Sequence, residues 1–237
     1  MFQKSPSVTR PSATHPNRKS YNYAIYDSFD TILEANSTAV RGTVYDLGCG
    51  EAPYRDWILK RAEKYVGVDW GASQHEVKAD LLADLSKHLP IESAAADTVV
   101  AISVLEHLCE PRVFLSEAYR LLKGGGTLVL QVPFMWGIHE APHDFFRYTS
   151  FGLEYLLKVT GFSKISVIPQ TGYWTTVALK FNYQTLRLIR GPGWVRKIIG
   201  GFLHIIWGLN QSFARKADVY WPSEGETAGY VVFAVKN

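Results

Sequence analysis

The sequence predicts an open, doubly wound α/β sheet, and three observations carry that prediction. Runs rich in β-branched and aromatic residues alternate with segments of helical periodicity. Two of those runs, around Val44 and around Val66, end in an acid, Asp46 and Asp69. Just past the first acid, Gly48 and Gly50 stand at alternate positions in Asp46-Leu47-Gly48-Cys49-Gly50-Glu51-Ala52-Pro53, which reads as strand, tight turn, helix. Glycines there permit positive φ and let a ligand approach the backbone. The amides opening the next helix then face that ligand.

The elements follow in order. Residues 1–20 are polar, basic and broken by prolines, which predicts a disordered tail. Residues 21–237 form one domain, since the chain is long enough for one large core and 47% of it is hydrophobic. Tyr23, Tyr26, Phe29, Ile32 and Leu33 recur at helical spacing, so a helix is expected from about 21 to 36. Strand one ends at Asp46, helix one covers about 54–62, and strand two covers 64–70. Strand three is expected at Val77–Asp80 and strand four at Asp97–Ser103. Pro111 opens a helix that Gly124-Gly125-Gly126 stops. Strand five covers Thr127–Val132; a helix capped by Thr149 or Ser150 ends at Gly161; strand six covers Phe162–Ile168. Residues 169–226 break the alternation with two helices, about 173–190 and 194–214, separated by Gly191-Pro192-Gly193. Gly229–Val235 is a last strand.

Composition excludes several classes. Two cysteines, Cys49 and Cys109, give no disulfide framework and point to a reducing cytosol, so a cytoplasmic location is expected. The N-terminus has no apolar core of a secretory signal, and the apolar run near Ile198–Leu209 is too short to span a bilayer. A net charge of +3 is only mildly basic, and with no recognised binding module a nucleic-acid role is disfavoured.

The turn at Asp46 carries the ligand chemistry. A dinucleotide fold uses G-x-G-x-x-G, and Pro53 occupies its third glycine place. A carboxylate at Asp46 would repel a pyrophosphate and attract an ammonium, which favours S-adenosylmethionine over NAD. Asp69 follows at the separation of about 20 residues where a carboxylate meets ribose hydroxyls, and Trp70 beside it can pack on an adenine. Asp80, with Leu81, is a second candidate for the adenine. Ser103, at the end of strand four, and Leu105, just past it, lie on the ligand side of the sheet.

These residues resemble the class I S-adenosylmethionine-dependent methyltransferases, most closely the branch called methyltransferase type 11. The resemblance covers about residues 42–168 and the last strand. It rests on Asp46-Leu47-Gly48-Cys49-Gly50, Asp69, Asp80-Leu81, Leu105-Glu106-His107 and Leu121-Leu122-Lys123-Gly124-Gly125-Gly126. It implies a Rossmann-like seven-stranded sheet in the order 3-2-1-4-5-7-6 with strand seven antiparallel, with a helical insertion before the last strand. Ala52 stands where the family often has a third glycine. Carried over, Asp46 lies near the methionine ammonium, Gly48, Cys49 and Gly50 line the methionine portion, Asp69 holds the ribose, and Asp80 with Leu81 the adenine. Ser103 and Leu105 border the methyl group.

The loop after strand five, Pro133–Tyr148, gathers histidines, acids, an arginine and aromatics. A hydroxyl acceptor needs a base, and histidine suits neutral pH. His143 with Asp144 is the first candidate, His139 the second; a loop histidine that merely pins Arg147 or the helix start is the competing reading. His139, Glu140, His143 and Asp144 do not define a metal site, so no metal is expected. His143-Asp144-Phe145-Phe146-Arg147-Tyr148-Thr149 resembles a sub-branch met among sugar and polysaccharide modification enzymes. The expected acceptor is therefore a sugar, nucleotide sugar or glycan, methylated at a hydroxyl or amine. A lipid or quinone acceptor is the alternative, and a non-catalytic S-adenosylmethionine-binding partner protein a third reading.

The insertion holds no Asp or Glu between Lys158 and Lys216 but many Lys, Arg and aromatic residues. It suits a lid and acceptor pocket, a peripheral membrane contact through residues 173–216, or a homodimer face. Trp194–Phe213 is apolar nearly all round, which favours burial against protein.

Overall fold

A computed structural model describes residues 10–71, 76–223 and 225–237. Seven strands form one sheet: β1 (Gly42–Leu47), β2 (Ala62–Asp69), β3 (Leu81–Leu82), β4 (Ala96–Ile102), β5 (Leu122–Pro133), β6 (Phe162–Pro169) and β7 (Gly229–Lys236). Their order is β3-β2-β1-β4-β5-β7-β6. β1, β2, β3, β4 and β5 pair in parallel, while β7 runs antiparallel to both β5 and β6. This is the order the resemblance implies.

Period-two alternation within the strands builds two cores. Leu128, Leu130 and Val132 of β5, with Val232 and Ala234 of β7, share a cluster with Phe114, Leu115, Leu153 and Leu157. The first two of those last four lie on α3 (Pro111–Leu121), the other two on α4 (Ser150–Thr160). The intervening Val129, Val231 and Phe233 turn instead toward Phe29 and Leu33 of α1 (Tyr23–Ala35) and Trp57 and Ile58 of α2 (Arg55–Leu59). Phe114 is fully buried, so truncation to alanine would cost about 3–5 kcal/mol. Thr149 caps α4 by accepting from the Gly152 N–H at 3.1 Å, and Gly161 at φ +107° ends it.

Three expectations need correction. The third strand is not at Val77–Asp80; it is the two-residue β3, set by Val68 and Asp69 pairing with Leu81 and Leu82. The described part of the expected tail, residues 10–20, is an ordered arm of turns. Arg10 donates to Asp27 at 2.7 Å, the Ser12 amide and hydroxyl donate to Asp30 at 2.9 and 2.8 Å, and Arg18 reaches both acids. Residues 1–9 of that stretch lie outside the described residues. The third is the extent of the insertion's helices, the first ending before residue 190 and the second running on past 214. They are α5 (Tyr173–Leu186) and α6 (Gly193–Tyr220). Leu203, Trp207, Gln211, Ala214 and Ala217 of α6 face inward. The opposite stripe, Trp194, Ile198, Phe202, Ile205, Leu209 and Phe213, is not buried within the chain; each is between 62% and 69% exposed.

The insertion also clamps the arm. Asn182 donates to the Tyr21 carbonyl at 2.9 Å, Gln211 to the Ser20 carbonyl at 2.8 Å, and Asn22 to the Tyr183 hydroxyl at 2.9 Å. Arm, α1 and α5 thereby close over the carboxyl ends of the central strands.

Candidate active site

A cavity of about 990 Å³ opens outside the carboxyl ends of β1, β2, β4 and β5, the place where open α/β sheets bind ligands. One end is built by the β1 turn. Gly48 at φ +79° donates its N–H to the Val68 carbonyl at 2.7 Å, which binds the turn to β2. A Cβ on Gly48 would stand 2.3 Å from Val104, whereas one on Gly50, at φ +52°, meets nothing within 4 Å. Gly50 therefore opens a cradle. Ala52, at the third glycine place, holds the left-handed conformation at φ +52°.

Asp46 and Asp69 bracket this turn, and both line the cavity although nearly buried. Asp46 accepts from the Tyr65 hydroxyl at 2.7 Å. Burial raises its pKa to about 6, with the Asp69 charge adding to the rise and the Tyr65 bond opposing it. Asp69 accepts from the Gly50 N–H at 2.9 Å and the Trp70 N–H at 2.8 Å, which fixes its carboxylate. Burial, then the charge of Asp46, pushes the Cys49 thiol up to about 12, so it stays a thiol and lines the wall without reacting. Trp70 lines the cavity with its ring edge-on to His143, and Ser103, at φ +55°, donates to Gln131 at 2.6 Å.

Three assigned residues lie elsewhere. Asp80 accepts from the Gly67 N–H at 2.8 Å and stands 3.6 Å from Arg55, off the cavity wall. Leu81 packs against the core, and Leu105 is buried with its carbonyl accepting from the Tyr148 hydroxyl at 3.0 Å. The cavity instead meets Asp84, Leu85 and Ser86. The sequence carries Ala-Asp-Leu twice, at 79–81 and 83–85. The second copy reaches the cavity because β3 takes up Leu81 and Leu82. The Ser86 hydroxyl and amide hold Asp84 down to about 2.

The other end is aromatic and histidine-rich. Tyr21, Tyr183 and Trp136 stack edge to face with centroids 5.1 and 5.2 Å apart, and Tyr26 completes that wall. These residues come from the arm, α1, α5 and the β5–α4 loop, so no short motif announced them. His139 and His143 both line the cavity. Asp144 does not partner His143. Its carboxylate takes a two-pronged bond from Arg147 at 2.6 and 2.7 Å and accepts from the His139 amide at 2.9 Å. Arg147 also donates to the Gly137 carbonyl at 2.9 Å, bridging the loop to its own start. Asp144 is held well below the usual carboxylate range, first by Arg147, which removes it as a base. His139 is raised, first by Glu106 beside it. His107 orders the loop, its Nδ1–H donating to the His143 carbonyl at 2.6 Å.

A family model for the methyltransferase domain matches residues 45–130. That match agrees with the resemblance read from the sequence, over the stretch where the two glycines and both acids stand. The matched stretch begins in β1 and ends in β5. Among curated proteins it is 33% identical over 96 residues to a probable S-adenosylmethionine-dependent methyltransferase of Mycolicibacterium smegmatis, covering 38% of this chain and 37% of that one. It is 28% identical over 147 residues to a ubiquinone biosynthesis O-methyltransferase of Psychrobacter cryohalolentis, covering 56% and 55%. The chain thus spans about a third to just over half the length of these relatives. Among solved structures, a methyltransferase from Archaeoglobus fulgidus superposes with a TM-score of 0.58 at 16% identity, over 90% of this chain and 94% of that one. A phosphoethanolamine N-methyltransferase of Haemonchus contortus in complex with S-adenosylmethionine gives 0.57 at 14% identity, over 97% and 59%. The residues present fit the family's cofactor: an open glycine cradle, one buried acid for an ammonium and a second, backbone-held acid for two vicinal hydroxyls.

Proposed function

We propose that this chain is a methyltransferase that transfers a methyl group from S-adenosylmethionine to a hydroxyl or amine of a ring-shaped small molecule, foremost a sugar, nucleotide sugar or glycan. The observation that carries the reading is the pair Asp46 and Asp69 bracketing the Gly48–Gly50 turn at one end of a cavity whose far end is lined with histidines and aromatic rings. When bound, S-adenosylmethionine supplies a methyl carbon already activated by its sulfonium, so the protein's part is placement and proton removal. Asp69 holds hydroxyls with the oxygen lone pairs its backbone bonds leave over. Asp46 neutralises an ammonium and is itself ionised by it. Tyr26, Trp136 and Tyr183 offer ring faces to a flat or cyclic acceptor. His143, exposed on the rim, takes the acceptor's proton; His139 is the second candidate. Calorimetry with S-adenosylmethionine, followed by transfer of labelled methyl to a panel of nucleotide sugars and glycans, tests this. Tight cofactor binding with labelled sugar product supports it, and labelled product on quinols alone would overturn the sugar acceptor.

A second reading, a lipid or quinol acceptor delivered at a membrane surface, is favoured by the exposed stripe of α6. The same segment carries Arg190, Arg196, Lys197 and Lys216, the pattern of a helix lying on an anionic bilayer. The relatives named for ubiquinone biosynthesis agree with it. No helix among the described residues is long and apolar enough to cross a membrane. Sedimentation with anionic vesicles, lost in Phe202→Glu, is the result this reading expects; equal recovery of the two proteins in the supernatant removes it.

A further inference from the structure

Glu106 poses a chemical problem that methyl transfer does not solve. It sits in the single turn Leu105–His107 after β4, it is fully buried, and neither carboxylate oxygen has a hydrogen-bond partner. An isolated buried carboxylate is costly unless something compensates it. Two imidazoles approach it. His107 Nε2 stands 3.7 Å and His139 Nε2 3.8 Å from the same oxygen, Oε1. Both distances exceed a hydrogen bond. The two rings are 4.9 Å apart at 76°, and one donor atom from each of the three side chains lies within 4.8 Å of the others.

We propose that Glu106, His107 and His139 form a binding site for a divalent transition-metal ion, of which zinc is the best match, in the wall of the cavity. The far nitrogens support this. A carbonyl can only accept, so His107 Nδ1 carries a proton toward the His143 carbonyl, and in the neutral ring Nε2, which faces Glu106, is the nitrogen left to bind a metal. His139 Nδ1 faces the Gly137 carbonyl at 3.3 Å, the Asp144 carboxylate at 3.5 Å and the Arg147 guanidinium at 3.4 Å, and these contacts turn Nε2 toward Glu106 without fixing which nitrogen carries the proton. Ligating histidines are oriented in this way, by a carbonyl or carboxylate behind the ring. Ligands on a tetrahedral zinc at about 2.1 Å stand about 3.4 Å apart, so Oε1 closes on each nitrogen by a few tenths of an ångström, while the donor set as a whole, spread within 4.8 Å, must draw in by up to about 1.4 Å.

Two imidazoles with one carboxylate suit zinc or iron(II), and not magnesium or calcium, which take oxygen. His139 and His107 line the cavity, so an ion held by three protein ligands would have its remaining position toward the acceptor. A role there in lowering the pKa of the acceptor hydroxyl rests on the methyl-transfer reading; metal binding itself does not. Glu140, His143 and Asp144, grouped with His139 in the sequence, supply no ligand. The missing members are on the β4 side, more than 30 residues earlier.

The test is titration of the chelator-treated full chain with Co²⁺, read by visible absorption, and with Zn²⁺, read by calorimetry. S-adenosylhomocysteine binding is measured on the same samples. One ion per chain is expected, with tetrahedral or five-coordinate Co²⁺ bands. His107→Ala and His139→Ala should each weaken Zn²⁺ at least about 100-fold while S-adenosylhomocysteine binding persists. Glu106→Gln should do the same where it folds, and the two histidine variants decide where it does not. Absence of stoichiometric binding, or binding unchanged in both histidine variants, overturns the site. Metal binding without nucleoside binding would instead defeat the methyl-transfer reading and leave the site standing.

Discussion

The two ends of the cavity are made in different ways. The cofactor end comes from one contiguous stretch, β1-turn-α2 with the tip of β2, and its parts are fixed by bonds from the turn's backbone amides to the Val68 carbonyl and the Asp69 carboxylate. The acceptor end is assembled from the arm, α1, α5, the turn after β4 and the β5–α4 loop. It is held by side-chain bonds that span up to 191 positions of sequence. A strand-end turn is constrained by geometry that any sequence of its family must satisfy. A wall made of separate segments can change its chemistry without disturbing the sheet, and that is where the specificity of such folds resides.

If that contrast holds, substitutions at the acceptor end should act on turnover and those at the cofactor end on binding or folding. The largest effect is expected for His143→Ala, which should lower kcat about 100-fold or more with cofactor affinity unchanged, as removal of a general base does. Full activity would transfer that role to His139 or to a bound ion. Next is Asp69→Ala. It removes a charged acceptor of ribose hydroxyls and frees the Gly50 amide, so the calorimetric affinity for S-adenosylmethionine should fall about 10- to 100-fold.

The two glycines sharpen the contrast within one turn. Gly48→Ala puts a methyl group 2.3 Å from Val104 at a positive φ, so it should destabilise the fold by about 2–4 kcal/mol in urea unfolding. Gly50→Ala has open space around it. It should cost the fold only about 1–2 kcal/mol while filling the cradle and weakening the cofactor. Equal stability losses in the two variants would break this distinction.

The smallest effects are those of pH, and they have opposite signs at Asp46 and at His15. Asp46 has its pKa raised to about 6 from 3.8, so the folded chain keeps it protonated up to about pH 6 and loses stability as pH rises from 3.8 to 6. Cofactor affinity should therefore fall about tenfold on going from neutral pH to pH 5; a flat profile would show Asp46 remote from the ammonium. His15 of the arm is lowered to about 4 by burial, then by Arg18. It is neutral when docked, so its contribution is complete above pH 6.5 and is lost as pH falls toward 4. Protease cleavage near residue 15 should rise over that window.

What the sequence showed follows the same division. The sheet order, the glycine turn, Asp46 and Asp69 were legible because strand ends and turns leave local patterns. Asp80 and Leu81 were misplaced by one four-residue step, because two Ala-Asp-Leu copies look alike until strand pairing chooses between them. The arm was read as a tail because composition counts Arg10, Ser12 and Arg18 as solvent-seeking, while Asp27 and Asp30 on α1 supply their partners. Asp144 was matched to the adjacent His143, whereas the fold gives it to Arg147, three positions on. Glu106 was seen only as part of a family string; its burial beside two imidazoles is a tertiary fact.

A crystal structure of the complex with S-adenosylhomocysteine tests the central claim most directly. The account predicts the ribose hydroxyls within hydrogen-bond distance of the Asp69 carboxylate, the amino group beside Asp46, and the sulfur facing the His139–His143 wall. A nucleoside bound away from both acids would contradict it.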